Sequence, residues 1–396
     1  MDAPFTYELV AGGRSNLTYK VTAAGGAAVA LRRPPTGHVL PTAHNVVREH
    51  RVISGLWPTP VPVPEPLACC EDLSVTGAPF FVMGYVDGRI IRNGDDAERL
   101  LDVPGRRKAS WSLIDTLAEL HAVDVDAAGL GDLGPRDGYI ERQLRRWIGQ
   151  YEASVASVEA SALPRPGRDA LLSRHGGDPV VLAHGRLESA VPQAQRLGMV
   201  HGDYRLDNMI LDGGGTVIAL LDWEICALGD PLADVGLLMV YWASSPRESL
   251  LVADPATAVD GFPSRTELLE RYASASGTDL SEIAAYTAFG YWKLACILEG
   301  VYSRYVGGAG GGDPSGVESF SDIACVLGER ALQVLDTGQV ESGGQGKISG
   351  QVESGGQGGG GQADRGRTGQ GTAAADESRS RAGTGGVERG SAWHSE

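Results

Sequence analysis

The chain has no apolar run long enough to cross a bilayer. Its most apolar region, residues 217–242, is broken by Asp222, Glu224, Asp230 and Asp234, whereas a span needs about 20 largely uncharged residues. Positive charge is scarce as well: 34 Lys and Arg stand against 50 Asp and Glu, a formal net charge of −16. So acidic a chain repels nucleic acid and anionic membranes, and neither is expected as a partner. Cysteine is too sparse and too badly spaced to build a metal or disulfide framework. The five present are Cys69, Cys70, Cys226, Cys296 and Cys325. They contain no CxxC pair, and an odd count fits a reducing compartment. The adjacent Cys69 and Cys70 are too close for an unstrained disulfide and read as buried thiols. His38, His44 and His50 recur every six residues, an interval that does not align ligands on one helix face, so no zinc site is expected. The opening MDAPFTYELV lacks a basic segment followed by an apolar stretch, the mark of a secretory signal. The expectation is a cytoplasmic protein.

What is present is enough chain, 396 residues with 42% hydrophobic content, to bury a sizeable core without staples. Residues 337–396 change character. They are rich in Gly, Ser, Gln and charge, and GQVESGGQG occurs twice, from Gly338 and from Gly350. A segment with so little apolar surface cannot offset the entropy of ordering it and reads as disordered.

The first eighty or so residues read as strands. Short β-type runs at 7–10, 17–22 and 27–32 are separated by Gly12-Gly13 and Gly25-Gly26. A helix is predicted at 43–56, then an extended VPVPEP and strands at 67–70 and 79–85. After Gly88 the pattern turns helical, with Trp111, Ile114, Leu117, Ala118 and His121 at i, i+3, i+4 spacing. Further helices are predicted at 231–242, 265–275, 280–301 and 321–335, with a hairpin of strands 209–211 and 217–221 between them. A strand-rich small lobe before a helical large lobe with one embedded hairpin is the outline of a kinase.

The sharpest chemical signal is VHGDYRLDN, carrying His201, Asp203 and Asn208, with Asp222 of LLDWE following across the hairpin. Phosphoryl transfer needs an acceptor for the substrate hydroxyl proton and hard oxygen ligands for the metal that bridges the nucleotide phosphates. Asp, Asn and a second Asp at this spacing can supply both, and Mg²⁺ favours such ligands. HGD alone would read as a surface turn; Asn208 and Asp222 in register argue against that.

HGDxxxxN followed by DWE and GDPxxD resembles the aminoglycoside phosphotransferase family, relatives of the protein and choline kinases. The resemblance implies an α+β, protein-kinase-like, two-lobed fold, with a small β-rich N-lobe at 1–86, a larger helical C-lobe at 87–336 and the tail beyond. It implies that Asp203 is the catalytic base, that Asn208 and Asp222 hold Mg²⁺, and that His201 braces the loop. Arg205, two residues after the base, is expected to reach the transferred phosphate. ATP or GTP is the expected phosphate donor.

The N-terminal half fits the same outline. In AGGRSNLTYK, Gly12 and Gly13 can let backbone N–H groups approach phosphates, with Ser15 and Asn16 beside them; read alone, the glycine pair is a plain hairpin turn. The strand AVALR ends in Arg32, where kinases place a lysine on the α- and β-phosphates, and Glu49 stands where that lysine's carboxylate partner is expected. Arg32 departs from the family lysine, but a guanidinium also grips phosphate and carboxylate. Arg33 is the alternative partner of Glu49. Residues 80–85, with Met83 and Tyr85, are the expected hinge whose backbone addresses the purine.

A closer resemblance lies within the family. GGRSNLTYK, LRRPPTGHVLPTAHNVVREHRVI, GAPFFVM, HGDYRLDN, LGDPLADVGLLMVYW and EGVYSRY are similar, in this order, to the branch fused to or encoded near acyl-CoA dehydrogenases. That likeness implies a hydroxylated acyl acceptor, carried as a CoA thioester, and a functional link to an acyl-CoA dehydrogenase. Two departures are an insertion at 162–179 and the Gly-rich tail.

Other features read structurally. Asp230 before Pro231 is an N-cap, Asp234 braces the catalytic loop, and Tyr241-Trp242 and Tyr291-Trp292 are core aromatics. Two rivals stay open. An aminoglycoside kinase would draw on Glu267, Glu270, Asp279 and Glu282 for a polycation, and a catalytically silent pseudokinase would act as a binding module.

Overall fold

The computed structural model describes residues 5–11, 16–35, 45–161, 166–249, 254–308 and 319–340. The N-terminal part is one antiparallel sheet. Its strands are β1 (Thr6–Ala11), β2 (Leu17–Thr22), β3 (Ala28–Arg33), β4 (Pro66–Cys70) and β5 (Phe80–Gly84), in the order β1-β2-β3-β5-β4. Helix α1 (Val46–Leu56) crosses it and buries Val46, Glu49, Val52, Ile53 and Leu56. The i, i+3, i+4 spacing of these residues is what turns one face of α1 inward. Asn45 caps the helix at Val46 by accepting from the Arg48 N–H at 3.0 Å. Residues 36–44, and with them His38, His44 and the start of that predicted helix, lie outside the described residues.

β4 closes one edge of the sheet, after which a short helix α2 (Leu73–Thr76) leads into β5. The edge position corrects the reading of the vicinal cysteines: Cys69 is exposed and Cys70 half-buried, because an edge strand lacks cover on its outer side.

The remainder is helical: α3 (Gly94–Leu100), α4 (Val103–Ala122), α5 (Tyr139–Ala160), α6 (Pro166–His175), α7 (Pro179–Ser189), α8 (Leu232–Tyr241), α9 (Arg265–Ser276), α10 (Ile283–Val306) and α11 (Phe320–Thr337). Two strand pairs are set into it, β6 (Gly198–Val200) with β9 (Ala227–Gly229) and β7 (Met209–Leu211) with β8 (Val217–Leu220). The sheet followed by the helical body is the kinase-like architecture anticipated from the sequence. Residues 162–179, read as an insertion, contribute α6, held by buried Arg168 donating to the Tyr151 hydroxyl at 2.9 Å and to Asp178 at 2.5 Å.

α10 is the spine of this body. Tyr286, Phe289, Trp292, Leu294 and Cys296 are all buried along it, and it packs against α5, α7, α8 and α11. At its crossing with α8 the backbones approach so closely that a Cβ on Gly236 would overlap the Tyr286 carbonyl, and one on Gly290 would lie 3.1 Å from Leu237 Cα. Among the described residues, no helix is long and apolar enough to cross a membrane.

Candidate active site

The HGDYRLDN loop lies between β6 and β7 and is fastened from three sides. Asp234, in the first turn of α8, accepts from the backbone N–H of His201 at 2.6 Å and of Gly202 at 2.8 Å. On the other side of the Gly202 peptide, the buried Lys293 of α10 donates to its carbonyl at 2.9 Å. Gly202 has φ +88°, a left-handed conformation that glycine adopts without strain. Tyr204 anchors the loop to α4 through a 2.6 Å hydrogen bond to the Leu113 carbonyl.

His201 is fully buried. Its Nε2 donates to the Leu221 carbonyl at 2.9 Å, while Nδ1 accepts from the Asp203 N–H at 3.3 Å. Its ring packs on Trp223 with centroids 4.7 Å apart. Both ring nitrogens are committed to backbone, so His201 braces the loop. The N-cap position of α8 expected for Asp230 is taken by Pro231; Asp230, one residue earlier, accepts from the Leu232 N–H at 3.1 Å while Tyr286 donates to its other oxygen.

Asp203 projects from this frame. Its Oδ2 accepts from the Asn208 amide at 2.9 Å and from Arg205 Nε at 3.2 Å, and its Oδ1 accepts from the Tyr241 hydroxyl at 3.1 Å. Burial pushes this carboxyl up, but Arg205, His201, the Asn208 amide and Lys293 outweigh it, and the net is a carboxylate held below its usual range. It is ionised at neutral pH. Arg205 also reaches Asp207 at 3.2 Å. Burial alone would weaken the Arg205 guanidinium, and the carboxylates of Asp203, Asp207 and Asp222 hold it charged.

The second half of the site is contributed jointly by the sheet and the hairpin. Arg32 Nε pairs with Glu49 Oε2 at 2.8 Å, its Nη2 meets Asp222 Oδ1 at 2.7 Å, and Glu224 stands 3.9 Å away. The partner of Glu49 is therefore Arg32 and not Arg33. Arg32 opposes Phe81 of β5 and Thr18 of β2 in the sheet register, and its side chain reaches both Glu49 of α1 and Asp222 after β8. Asp222 is the one non-glycine residue with positive φ, +66°, among the described residues. Such a conformation costs an aspartate free energy and persists where surrounding contacts enforce it.

The donor set fits a hard divalent cation. The Leu221 N–H bonds to the Asn208 carbonyl at 2.9 Å, bringing Asn208 and the neighbouring Asp222 to the same end of the hairpin. The Asn208 Nδ2 is committed to Asp203, which leaves its Oδ1 as the atom that could meet a cation. Among the described residues, no group of three or more His, Cys, Asp or Glu side chains could hold a metal. An Asn–Asp pair completed by phosphate and water is a pattern suited to Mg²⁺.

Not every expected residue is brought here. Gly12, Gly13 and Ser15 lie outside the described residues. Asn16 is buried against Glu49, its amide 3.4 Å from Oε2. Met83 is buried in the sheet, paired with Ala30 and Pro66, and Tyr85 just beyond it carries the Lys20 ammonium over its ring at 4.2 Å. Neither touches the Asp203 or Arg32 groups through these contacts. Sequence reasoning missed Tyr241, taken for a core aromatic, and Lys293. Tyr241 falls seven residues after Asp234, two turns along the same face of α8. Lys293 is the one charge within the apolar run AFGYWKLACIL.

Beside the loop a cavity opens, lined by Arg205, Asp207 and Tyr241 and walled by apolar side chains including Leu238, Trp242 and Leu294, with Arg92 also lining it. None of Glu267, Glu270, Asp279 or Glu282 lines it. Glu267 serves a capping box with Ser264 and pairs with Arg107, and Asp279 caps the turn at Ser281.

Comparison with known proteins gives the family and agrees with the fold. The model of the phosphotransferase enzyme family, abbreviated APH, matches residues 6–286. Acyl-CoA dehydrogenase family member 11 of Gallus gallus is 34% identical over 328 residues, which cover 81% of this chain but 39% of that protein. The chain thus spans about two fifths of this relative's length. A solved structure from Ralstonia eutropha, assigned as an aminoglycoside phosphotransferase, superposes with a TM-score of 0.67 at 28% identity, covering 85% of this chain and 94% of its own. A GDP complex of an aminoglycoside 2'-phosphotransferase-IIIa variant shares the fold at TM-score 0.51 and 16% identity, over 84% of this chain and 93% of its own. With an ionised, clamped aspartate beside an arginine-gripped carboxylate cluster, and a family model covering most of the described fold, this chain belongs to the phosphotransferase enzyme family.

Proposed function

We propose that the protein transfers the terminal phosphate of ATP or GTP to the hydroxyl of a small molecule with an apolar, acyl-type body. The observation that carries the reading is Asp203: an ionised carboxylate held by three side chains, two of which, Arg205 and Tyr241, line a largely apolar cavity. The GDP complex of the related 2'-phosphotransferase supports a nucleotide as donor. The names of the acyl-CoA dehydrogenase relatives support a hydroxyacyl metabolite, carried as a CoA thioester, as acceptor.

In the transfer, the acceptor oxygen forms the new O–P bond while the bond from the γ-phosphorus to the bridging oxygen breaks, releasing the nucleoside diphosphate. The hydroxyl proton passes to Asp203. A carboxylate below its usual range is a weak base, but the loose transition state of phosphoryl transfer asks little of it until the O–P bond is well advanced. Arg32, steered by Glu49, grips the donor phosphates, and Arg205 faces the group in flight. Asn208 and Asp222 would hold Mg²⁺, whose chemistry is to neutralise charge on the phosphates.

The aminoglycoside reading finds less support. A polycation calls for a carboxylate-crowded pocket, whereas this cavity is mostly apolar and its two carboxylates, Asp207 and Glu248, are matched by Arg92 and Arg205. A coupled nucleotide-turnover screen over hydroxyacyl-CoAs, aminoglycosides and small alcohols tests the proposal. Turnover with hydroxyacyl thioesters is expected, and turnover confined to aminoglycosides would refute the acceptor assignment.

A further inference from the structure

The two carboxylate oxygens of Asp203 have different surroundings. Oδ2 accepts from a guanidinium and an amide, Arg205 at 3.2 Å and Asn208 at 2.9 Å. Oδ1 accepts from one neutral donor, the Tyr241 hydroxyl at 3.1 Å. Tyr241 ends α8, and with Arg205 and Asp207 it forms the loop-side wall of the cavity. Its ring lies against Arg205, whose guanidinium carbon is 5.4 Å from the ring centroid. One side chain thus holds both members of the Asp203–Arg205 pair, the carboxylate by its hydroxyl and the guanidinium by its π face.

We infer that Tyr241 is a positioning residue for the transfer step, fixing the rotation of the Asp203 carboxylate so that Oδ1 is the oxygen that takes the acceptor proton from the cavity side. The inference rests on Asp203 being the proton acceptor. The terminal torsion of an aspartate is broad and roughly two-fold, so without a contact on Oδ1 the carboxylate can swing. Oδ2 is the poorer proton acceptor of the two, since a cation and an amide already draw on its lone pairs. Oδ1 keeps a lone pair beyond the one Tyr241 uses. Burial and the adjoining Asp203 charge push the Tyr241 hydroxyl well above its usual value. It remains a neutral donor and cannot replace Asp203 as base. As the O–P bond forms, the acceptor proton goes to Oδ1, and the Tyr241 O–H keeps its own.

Tyr241→Phe removes the hydroxyl while keeping the ring against Arg205, and it is measured beside Asp203→Ala and the double variant. The expected result is an unchanged melting temperature, an unchanged nucleotide KM and a roughly tenfold lower kcat, the size of one lost hydrogen bond to a charged group. In the Asp203→Ala background the same change should cost nothing further, because its target is gone. Wild-type kcat in Tyr241→Phe beside an impaired Asp203→Ala overturns the Tyr241 inference and leaves the base in place. Wild-type kcat in Asp203→Ala overturns the base itself. An equal loss in both backgrounds assigns the hydroxyl to some other contact and also overturns the inference.

Discussion

At the scale of single residues, the proposed function divides the site into side chains that would face the acceptor and side chains that would face the donor, and the two sets should fail differently. Asp203→Ala should lower turnover by roughly 10²–10⁴-fold, the range for a positioned proton acceptor. Nucleotide affinity should stay nearly constant, since the side-chain hydrogen bonds of Asp203 run to Arg205, Asn208 and Tyr241 and not to Arg32. Arg32→Ala should instead weaken nucleotide binding directly and leave Glu49 buried without its cation. Titration with a fluorescent nucleotide separates the two outcomes. Asp222→Asn is the third case. It keeps the shape of the side chain and removes the charge that faces Arg32, so the Mg²⁺ or Mn²⁺ concentration needed for half-maximal rate should rise severalfold. Wild-type turnover with excess EDTA would contradict the metal assignment. That Asn208 stands beside Asp203 and that Asp222 follows at the end of the hairpin could be read from the spacing, and the structure brings Asn208 to Asp203 at 2.9 Å. Tyr241 could not be read in this way, because an aromatic at the end of an apolar helix looks alike whether its hydroxyl meets solvent or a carboxylate.

Between residue and fold stand the elements that set the loop. The hairpin of β7 and β8 and the strands around the paired glycines were legible because a turn residue and a change of period mark their ends. Strands β6 and β9, of three residues each, are too short to show a period. Helix α6 escaped for another reason: Arg168, its buried anchor, is polar, and a helix held by an ion pair shows no apolar stripe. The α8–α10 crossing carries the most consequence, since α8 brings Asp234 and Tyr241 and α10 brings Lys293. Gly236→Ala forces a methyl into the Tyr286 carbonyl and should cost about 1–3 kcal/mol, the usual range for overpacking. Chemical denaturation measures that loss. Turnover should fall with it, because a displaced α8 withdraws the Asp234 carboxylate from His201 and Gly202. Undiminished stability would show that the two helices can separate freely at this point.

For the whole molecule, the joint that ties four parts of the helical body together also sets its response to acid. His121 of α4 bonds Tyr272 of α9 at 2.7 Å and faces Asp234 of α8 at 3.4 Å, and Asp234 in turn holds the HGDYRLDN loop. Burial pulls His121 below its ordinary value of 6.5, against the opposing pull of Asp234. The folded state then resists a proton that the unfolded chain accepts. Stability from this source is complete above about pH 6.5 and declines as pH falls from there toward the folded value, by at most about 1.4 kcal/mol per pH unit. Asp234 adds a lower step. Its carboxyl is pushed up by burial but held below 3.8 overall by His121, His201 and the Gly202 N–H, so its contribution is present above that value and is lost as pH falls through the folded one. At the alkaline end, burial raises the hydroxyls of Tyr139, Tyr151 and Tyr204. The unfolded chain releases those protons first, and stability should decline above about pH 10. The acid limb can be assigned by one substitution. His121→Gln should be less stable at pH 7, having lost a buried hydrogen-bonded ring, yet its melting temperature should change less between roughly pH 6.5 and 5 than that of the unsubstituted protein. If the two proteins show the same slope across that interval, the proton taken up on acid unfolding belongs to a group other than His121.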